Sequence, residues 1–578
     1  MNTPGNLPKL FSLIAVFALC LILFGTQTTL AQKTQTEIFV ETLAQAEAKM
    51  QAKQWAEAAA LWEQVVKVNP VQGRFWEQLG LAYYNAKDYR KSIPAYEKQL
   101  ELGYGQPSNA AYNIACNYAL AGDKEQAIKW LEKALELKFP DLPHAQTDTD
   151  LESIRSDPRY RNMVGLIDTS KLSRDEGWRT DLRFLTREIK RRGWNLFPRI
   201  GTEVEFDAQV KRINDAIPNL TDPQIEIEML KLMRRVGDGH SNLFGSRERK
   251  EWLETIPVLF YMFEEGLFIV AADPKHKDLL GSQVLKFGGR SVDEIVKVIH
   301  SATSEDNKIW IKQIAPYRMR HLPLLHAAGA IPDANKVELN LRGMDGKERT
   351  VILTTDMTQP NIWNTKPNPP EWVNLPQTLG KPVPLYLKNA AANYWFEYLP
   401  DNKTVYFGFN SVRNDEKESL AVFSERLFKF VNENAVEKLV IDMRWNNGGN
   451  TFLLTPLVQG LIKNEKINRR GKLFVIIGRR TFSAAQNAST FFERYTNATF
   501  VGEPTGASPN FVGEEDPFVL PYSKIAANVS HLYWQSAFPQ DQRTWIAPQI
   551  YVPPTFEAYR MNRDAALEAI LNYKEQTN

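Results

Sequence analysis

A period of 34 to 35 residues, running from about Ile38 to Phe139, constrains this chain more than any other feature. Trp55, Ala58, Trp62 and Pro70 recur as Tyr89, Ser92 and Tyr96, then as Ala127 and Leu131. Trp76, Leu79, Gly80 and Tyr83 fill first-helix positions of the middle copy. Apolar residues at helical spacing within so short a unit describe a helix pair that cannot bury its apolar face alone, so neighbouring copies must stack. Small residues let the paired helices cross closely and aromatics fill the gaps. Such stacks commonly hold a peptide or partner protein on a concave side, and three copies sit at the minimum for stability.

At 578 residues the chain is too long for a single core. Lys9 precedes an apolar run from Leu10 to Phe24 that only Ser12 interrupts, ahead of small residues ending at Ala31. The run is short for a spanning helix, so residues 1–31 read as a secretory signal peptide, with an uncleaved N-terminal membrane anchor as the alternative. No later segment is apolar and long enough to span, and the mature protein is expected to be exported, periplasmic or extracellular. Residues 32–139 hold the repeats, whose pattern resembles the tetratricopeptide repeat, and 140–175 a proline-punctuated linker. Residues 176–250 read as a helical subdomain and 251–358 as a β-rich one. Within the latter, Gly281 to Ile299 runs strand, glycine turn, amphipathic helix, which resembles part of a PDZ-type module, a fold that holds extended peptides at a sheet edge. A proline-rich connector covers 359–393, where Pro367, Pro369 and Pro370 can continue neither a helix nor an internal strand. From 394 to 578 strands alternate with helices, the pattern of an α/β layer with parallel pairing.

Composition removes several classes of function. A net charge of +2 gives no pull toward nucleic acid, and there is no basic stripe, no phosphate-binding GxxxxGK[ST] and no HExxH. The two cysteines are Cys20, inside the apolar run, and Cys116. With the leader removed Cys116 stands alone, so no intramolecular disulfide and no thiolate-built metal site is expected. Cys116 reads as a small core residue.

Two strand ends in the last region carry the chemistry. Lys472 to Gly478 (KLFVIIG) reads as a buried strand, and Ser483 follows it where a helix begins. A hydroxyl there lies beside unsatisfied backbone N–H groups and the positive end of the helix dipole. Lys438 to Asn450 (KLVIDMRWNNGGN) is a second strand followed by Gly448-Gly449, a pair that lets backbone approach a ligand closely. A serine before a helix is by itself an N-cap and a glycine pair by itself a turn. Together they describe a nucleophile and an oxyanion hole, an acyl-transfer site.

Four strings extend this reading: VGDGHS (Val236 to Ser241), IDMRWNNGG (Ile441 to Gly449), TFSAAQ (Thr481 to Gln486) and VGEPTG (Val501 to Gly506). In this order they resemble the C-terminal-processing, or tail-specific, serine peptidase family, which includes the tricorn-core proteases. The resemblance covers roughly the last four hundred residues. It implies a multidomain chain in which all-α tetratricopeptide-like repeats precede an α/β catalytic domain of the crotonase-like kind found in Clp-type and tail-specific proteases, with a β-rich, partly PDZ-like middle. It also implies Ser483 as nucleophile, with the N–H of Ala484 and a donor from Gly448 or Gly449 as the oxyanion hole. The tail-specific branch uses a lysine where this chain has Ser508 and carries a glutamate where it has Gln486, so the serine–lysine mechanism does not transfer. The tricorn-like branch uses histidine instead. Among seven histidines, His240 alone lies between turn residues at a helix end, and it becomes the expected general base. Asp541 falls near the position of that branch's glutamate and is the expected orienting acid, with Asp238, Glu514 and Glu515 as rivals. Asp442 and Arg444 are expected to hold the glycine loop. The expected activity is an exported serine endopeptidase acting on polypeptides without metal or organic cofactor. The alternative is a catalytically inactive peptidase fold serving as a scaffold that binds a peptide or an apolar ligand.

Overall fold

A computed structural model describes residues 34–246, 249–356 and 372–574. The expected leader, and Pro367, Pro369 and Pro370 of the connector, lie outside the described residues. The chain forms two units: the repeats through Phe139 together with Asp148–Tyr160, and Pro140–Thr147 together with Arg161 onward. No helix among the described residues is long and apolar enough to cross a membrane.

In the first unit six helices follow one another, Gln35–Gln51, Trp55–Val68, Gly73–Asn85, Tyr89–Glu101, Pro107–Leu120 and Lys124–Glu136, and each packs on the next. The residues that set the period explain the stacking. Ala58, Trp62, Ser92, Tyr96, Ala127 and Leu131 are all buried. At Gly80 a Cβ would stand 3.0 Å from the Tyr96 ring, and the Ser92 hydroxyl donates to the Gly80 carbonyl at 2.8 Å. The crossing is close because no side chain intervenes. Asp88 and Asp123 cap the second helices of the later pairs by accepting from Lys91 N–H and Gln126 N–H. Part of the expected linker belongs to this unit. A short 3-10 helix, Thr149–Ile154, packs on it, with the Tyr112 hydroxyl donating to Asp148 at 2.8 Å and that of Tyr84 to Asp150 at 2.6 Å. Cys116 is a buried free thiol, as its helical setting implied.

The second unit is built around a six-stranded sheet. Its spatial order is Ile550–Tyr551, Thr499–Gly502, Leu473–Ile477, Lys438–Asp442, Thr404–Phe409 and Tyr394–Leu399. All neighbours run parallel except the last pair. Every residue of Thr404–Phe409 and Leu473–Ile477 is buried, which explains their largely apolar sequence. Val405, Phe407, Ile441, Val475 and Ile477 face one way, onto the helices Leu420–Glu433, Thr455–Lys463 and Ala484–Tyr495. Tyr406, Val440, Phe474 and Ile476 face the other way, onto Ala565–Leu571.

A seven-stranded sheet spanning residues 258–374 forms the middle region. It contains the expected strand Gln283–Phe287, the turn at Gly288-Gly289 and the helix Val292–His300, capped by Ser291. The sequence reading missed a third sheet. In it Asn242–Gly245 pairs with Ala526–Gln535, which forms a long antiparallel hairpin with Asn510–Val519. This sheet ties the segment after His240 to the C-terminal half of the chain.

Candidate active site

The strand Leu473–Ile477 ends in a tight turn. Thr481 N–H donates to the Gly478 carbonyl at 2.8 Å, and Gly478 N–H to Thr481 Oγ1 at 3.0 Å. The Thr481 hydroxyl in turn donates to the Met443 carbonyl at 3.1 Å, tying the turn to the neighbouring strand end. Ser483 follows with φ 53° and ψ −129°, a conformation that side-chain-bearing residues rarely adopt. The helix Ala484–Tyr495 starts directly after it, yet the Ser483 side chain makes no capping hydrogen bond. A serine that served only as an N-cap would accept from the helix N–H groups and would not be forced to positive φ. The turn therefore lifts the hydroxyl out of the helix end, as a nucleophile elbow does.

Across from it, the glycine loop lies close. A Cβ on Gly448 would stand 2.6 Å from Ser483 Cβ and 2.9 Å from Ala484 N. Of the three expected oxyanion donors, two are available. The N–H groups of Gly449 and Ala484 make no hydrogen bond among the described residues. Gly448 does not qualify, because its N–H donates to Asn446 Oδ1 at 2.9 Å. Asn446 is fully buried and its amide also donates to the Phe409 carbonyl at 2.9 Å, so it sets the loop's path. The sequence signal for it was the Asn before two glycines, an Asx-turn composition.

His240 lines the same cleft as Ser483, Gly448, Gly449 and Asn487, a cavity of about 1030 Å³. Its loop is fixed from both sides. The Asp238 carboxylate accepts from the N–H groups of His240 (3.1 Å) and Ser241 (2.6 Å) and from the Ser241 and Ser530 hydroxyls (2.9 Å each). Asp306, whose pKa burial raises to about 7, accepts from Gly239 N–H at 2.7 Å. The imidazole lies between two phenyl rings, Phe482 at 4.5 Å and Phe511 at 5.4 Å between centroids, and Phe482 stacks in turn on Trp310 at 4.3 Å. Burial lowers the His240 pKa to about 4, and a contact with the Val512 backbone, short of a regular hydrogen bond, offsets part of this. The ring is thus neutral over the physiological range.

The structure does not bring Asp541 to His240. The Asp541 carboxylate is drawn into a local ion pair with Arg543, two residues on, at 2.7 Å, and Arg543 also grips Glu493. That pairing holds its pKa below the usual carboxylate range. Among the rivals, Asp238 binds the backbone of the histidine loop, while Glu514 and Glu515 line the cleft. Neither ring nitrogen of His240 has a regular hydrogen-bond partner. At the two departures from the tail-specific pattern, the Ser508 hydroxyl donates to the Thr544 carbonyl at 3.2 Å, and Gln486 is fully buried with both amide atoms unpartnered. Arg444 pairs with Asp442 and Asp564, outside the cleft lining, and so ties the strand end to the cap of the helix Ala565–Leu571. One residue overlooked in the sequence is Asn487, whose side chain donates to Thr451 Oγ1 at 2.8 Å and accepts from Ser536 at 2.7 Å on the cleft wall. Among the described residues, the one cluster with metal-ligand spacing is Cys116, Asp148 and Asp150, in the repeat unit.

Residues 71–138 match the tetratricopeptide repeat family. No sequence among the curated proteins matches the chain. Among solved structures, a point mutant of CPAF superposes with a TM-score of 0.50 and 11% identity, over 70% of this chain and 99% of that one. The photosystem II D1 C-terminal processing protease gives a TM-score of 0.34 at 11% identity, over 69% of this chain and 97% of that one. The tricorn protease gives 0.36 at 12% identity, over 69% of this chain and 36% of that one. The expected architecture is borne out at the level of fold: tetratricopeptide repeats, then a mixed α/β region with several sheets that shares the fold of CPAF.

Proposed function

We propose that this chain is an exported serine endopeptidase that hydrolyses polypeptides, with Ser483 as nucleophile and His240 as general base. The observation that carries the reading is Ser483 itself: a serine at positive φ, its hydroxyl not used as a cap, facing a cleft with two uncommitted backbone N–H groups beside it. Neutral His240 takes the hydroxyl proton as Ser483 Oγ attacks a peptide carbonyl. The N–H groups of Gly449 and Ala484 stabilise the oxyanion, and the imidazolium then protonates the leaving amine. Water, deprotonated by the same imidazole, releases the acyl group. The Phe482 and Phe511 rings and the Asp238-anchored loop take the orienting role assigned to Asp541. The repeats, a class that commonly holds peptides, suit a polypeptide substrate or a protein partner. Export rests on the leader pattern of residues 1–31 alone.

A second reading, an inactive scaffold that binds a peptide or an apolar ligand, is favoured by one observation: no carboxylate holds the His240 ring. Labelling of the mature protein with a fluorophosphonate separates the two. The wild type is expected to label, and Ser483→Ala and His240→Ala to lose the signal. Labelling lost in Ser483→Ala alone would keep the nucleophile and discard the base. A folded wild type that does not label, beside a serine peptidase control that does, would establish the scaffold.

The buried histidine fixes a pH dependence. The acid limb of kcat/KM is expected near pH 4 and not near the usual 6.5. Stability shifts with it. The folded pKa lies below the unfolded one, so the unfolded chain binds the extra proton first. The contribution is complete above pH 6.5, falls as pH drops from there toward 4, and is fully lost below. A fall from 6.5 to about 4 amounts to roughly 3 kcal/mol. Urea melts of wild type and His240→Phe between pH 7 and pH 4 isolate this change. A stability difference that stays constant with pH would show that the imidazole is not desolvated.

A further inference from the structure

A second cavity, of about 640 Å³, shares a wall with the cleft: Asn242 and Phe244, on the strand that follows the histidine loop, line both. That volume lies in the range of small-molecule sites. Its walls are mostly apolar, with Trp252, Leu253, Ile314 and Leu324 among them. Two polar groups inside it lack partners. His321 is only 2% exposed and both its ring nitrogens are unpartnered. The Arg318 side chain makes no ion pair or hydrogen bond among the described residues, and its guanidinium lies 5.7 Å over the Trp252 ring. No acidic side chain is among the described residues lining the cavity, and Lys524 adds a second cation at its wall. A buried imidazole with nothing to bind carries an unanswered desolvation penalty, and beside a half-buried guanidinium with no anionic partner, in an otherwise apolar chamber, it makes a site that an anion would satisfy.

We propose that this cavity binds an organic carboxylate with an apolar body, the acid received by Arg318 and His321 and the body by Trp252, Leu253 and Leu324. The planar guanidinium matches a carboxylate bidentately. Burial, with Arg320 and Arg318 nearby, keeps His321 neutral, so it offers one N–H donor. The acid can be a free molecule or the carboxyl end of a peptide, and the two sources are separable.

Calorimetry on the full mature chain carrying Ser483→Ala makes the test independent of catalysis. The probes are octanoate and octanamide, and a short acetylated peptide ending in phenylalanine with a free or an amidated carboxyl end. One of the two acids is expected to bind saturably, with its neutral analogue at least ~10-fold weaker. Saturation by octanoate identifies a free acid, and saturation by the peptide acid alone identifies a chain end. Arg318→Gln should weaken that acid ~10-fold or more, and Arg318→Lys should restore part of the loss. Should Arg318→Gln melt far below its parent, Ala526→Phe, which fills the chamber from the hairpin strand, replaces it and should abolish binding. The proposal falls if neither acid saturates, if the neutral analogues bind as well, or if binding survives both Arg318→Gln and Ala526→Phe.

Discussion

Ser483→Gly is expected to give a protein that is more stable than the wild type and has no hydrolytic activity. Ser483 holds φ 53° and ψ −129°, where a Cβ is in conflict with its own backbone and only glycine rests easily. Such a residue costs about 1–3 kcal/mol, supported by the structure around it. Here the support is the Gly478–Thr481 turn on one side and the helix Ala484–Tyr495 on the other. Glycine removes the strain but adds about 0.5–1 kcal/mol of unfolded-state entropy, so the net gain is on the order of 1 kcal/mol. Ser483→Ala keeps the Cβ and hence the strain, and should melt like the wild type. Both variants lose the nucleophile, and turnover should fall by ~10⁶ toward what the oxyanion donors and binding alone provide. Urea melts and peptide hydrolysis on the three proteins check both halves. Equal stability of Ser483→Gly and Ser483→Ala would mean that the elbow is unstrained and that its geometry needs another cause.

The parts of this site that the sequence made legible are those whose physics is local. The strands Lys438–Asp442 and Leu473–Ile477 are buried on both faces, so they appear as apolar runs. The glycines and Ser483 follow within a few residues, and their role depends on backbone conformation that neighbouring residues dictate. The repeats were legible for the same reason, since Gly80 and Ser92 meet across one helix crossing only 12 residues apart. What escaped was non-local. The hairpin Asn510–Val519 with Ala526–Gln535 contains Gly513, Glu514, Glu515 and Pro517, which blur any alternation, and its partner strand Asn242–Gly245 lies nearly three hundred residues upstream. That pairing brings His240 into the cleft of Ser483, and no pattern along the chain announces it. Asp541 failed by the opposite route. Its place in the sequence matched, but Arg543, two residues away, claimed the carboxylate. His240 is instead enclosed by Phe482 and Phe511, residues whose sequence neighbourhoods gave no sign that they would meet.

Gly449→Ala tests whether the glycine loop acts by shape as well as by chemistry, and it should lower both turnover and stability. Gly449 has φ 140°, and a Cβ there would stand 2.2 Å from the Val412 carbonyl oxygen and 2.7 Å from its carbon. Neither atom can yield freely. The Val412 carbonyl accepts from Asn450 N–H at 2.8 Å, and Val412 N–H donates to the Gly448 carbonyl at 2.9 Å. The new methyl must push the loop off this bridge, which moves the Gly449 N–H away from Ser483 and disturbs Asn450, the cap of the next helical turn. Loss of one oxyanion donor lowers kcat by about 10²–10³, and because the donor acts on the transition state, kcat/KM should fall in parallel. The steric displacement adds a stability loss of more than about 2 kcal/mol. Gly289→Ala separates the two causes. Gly289 also has a positive φ, 83°, but nothing lies within 4 Å of its Cβ position, in a turn of the middle sheet. It should cost only about 1 kcal/mol of backbone strain and leave hydrolysis unchanged. Were Gly449→Ala to behave like Gly289→Ala in both assays, the loop would be a turn and nothing more, and the second oxyanion donor would have to come from elsewhere in the cleft.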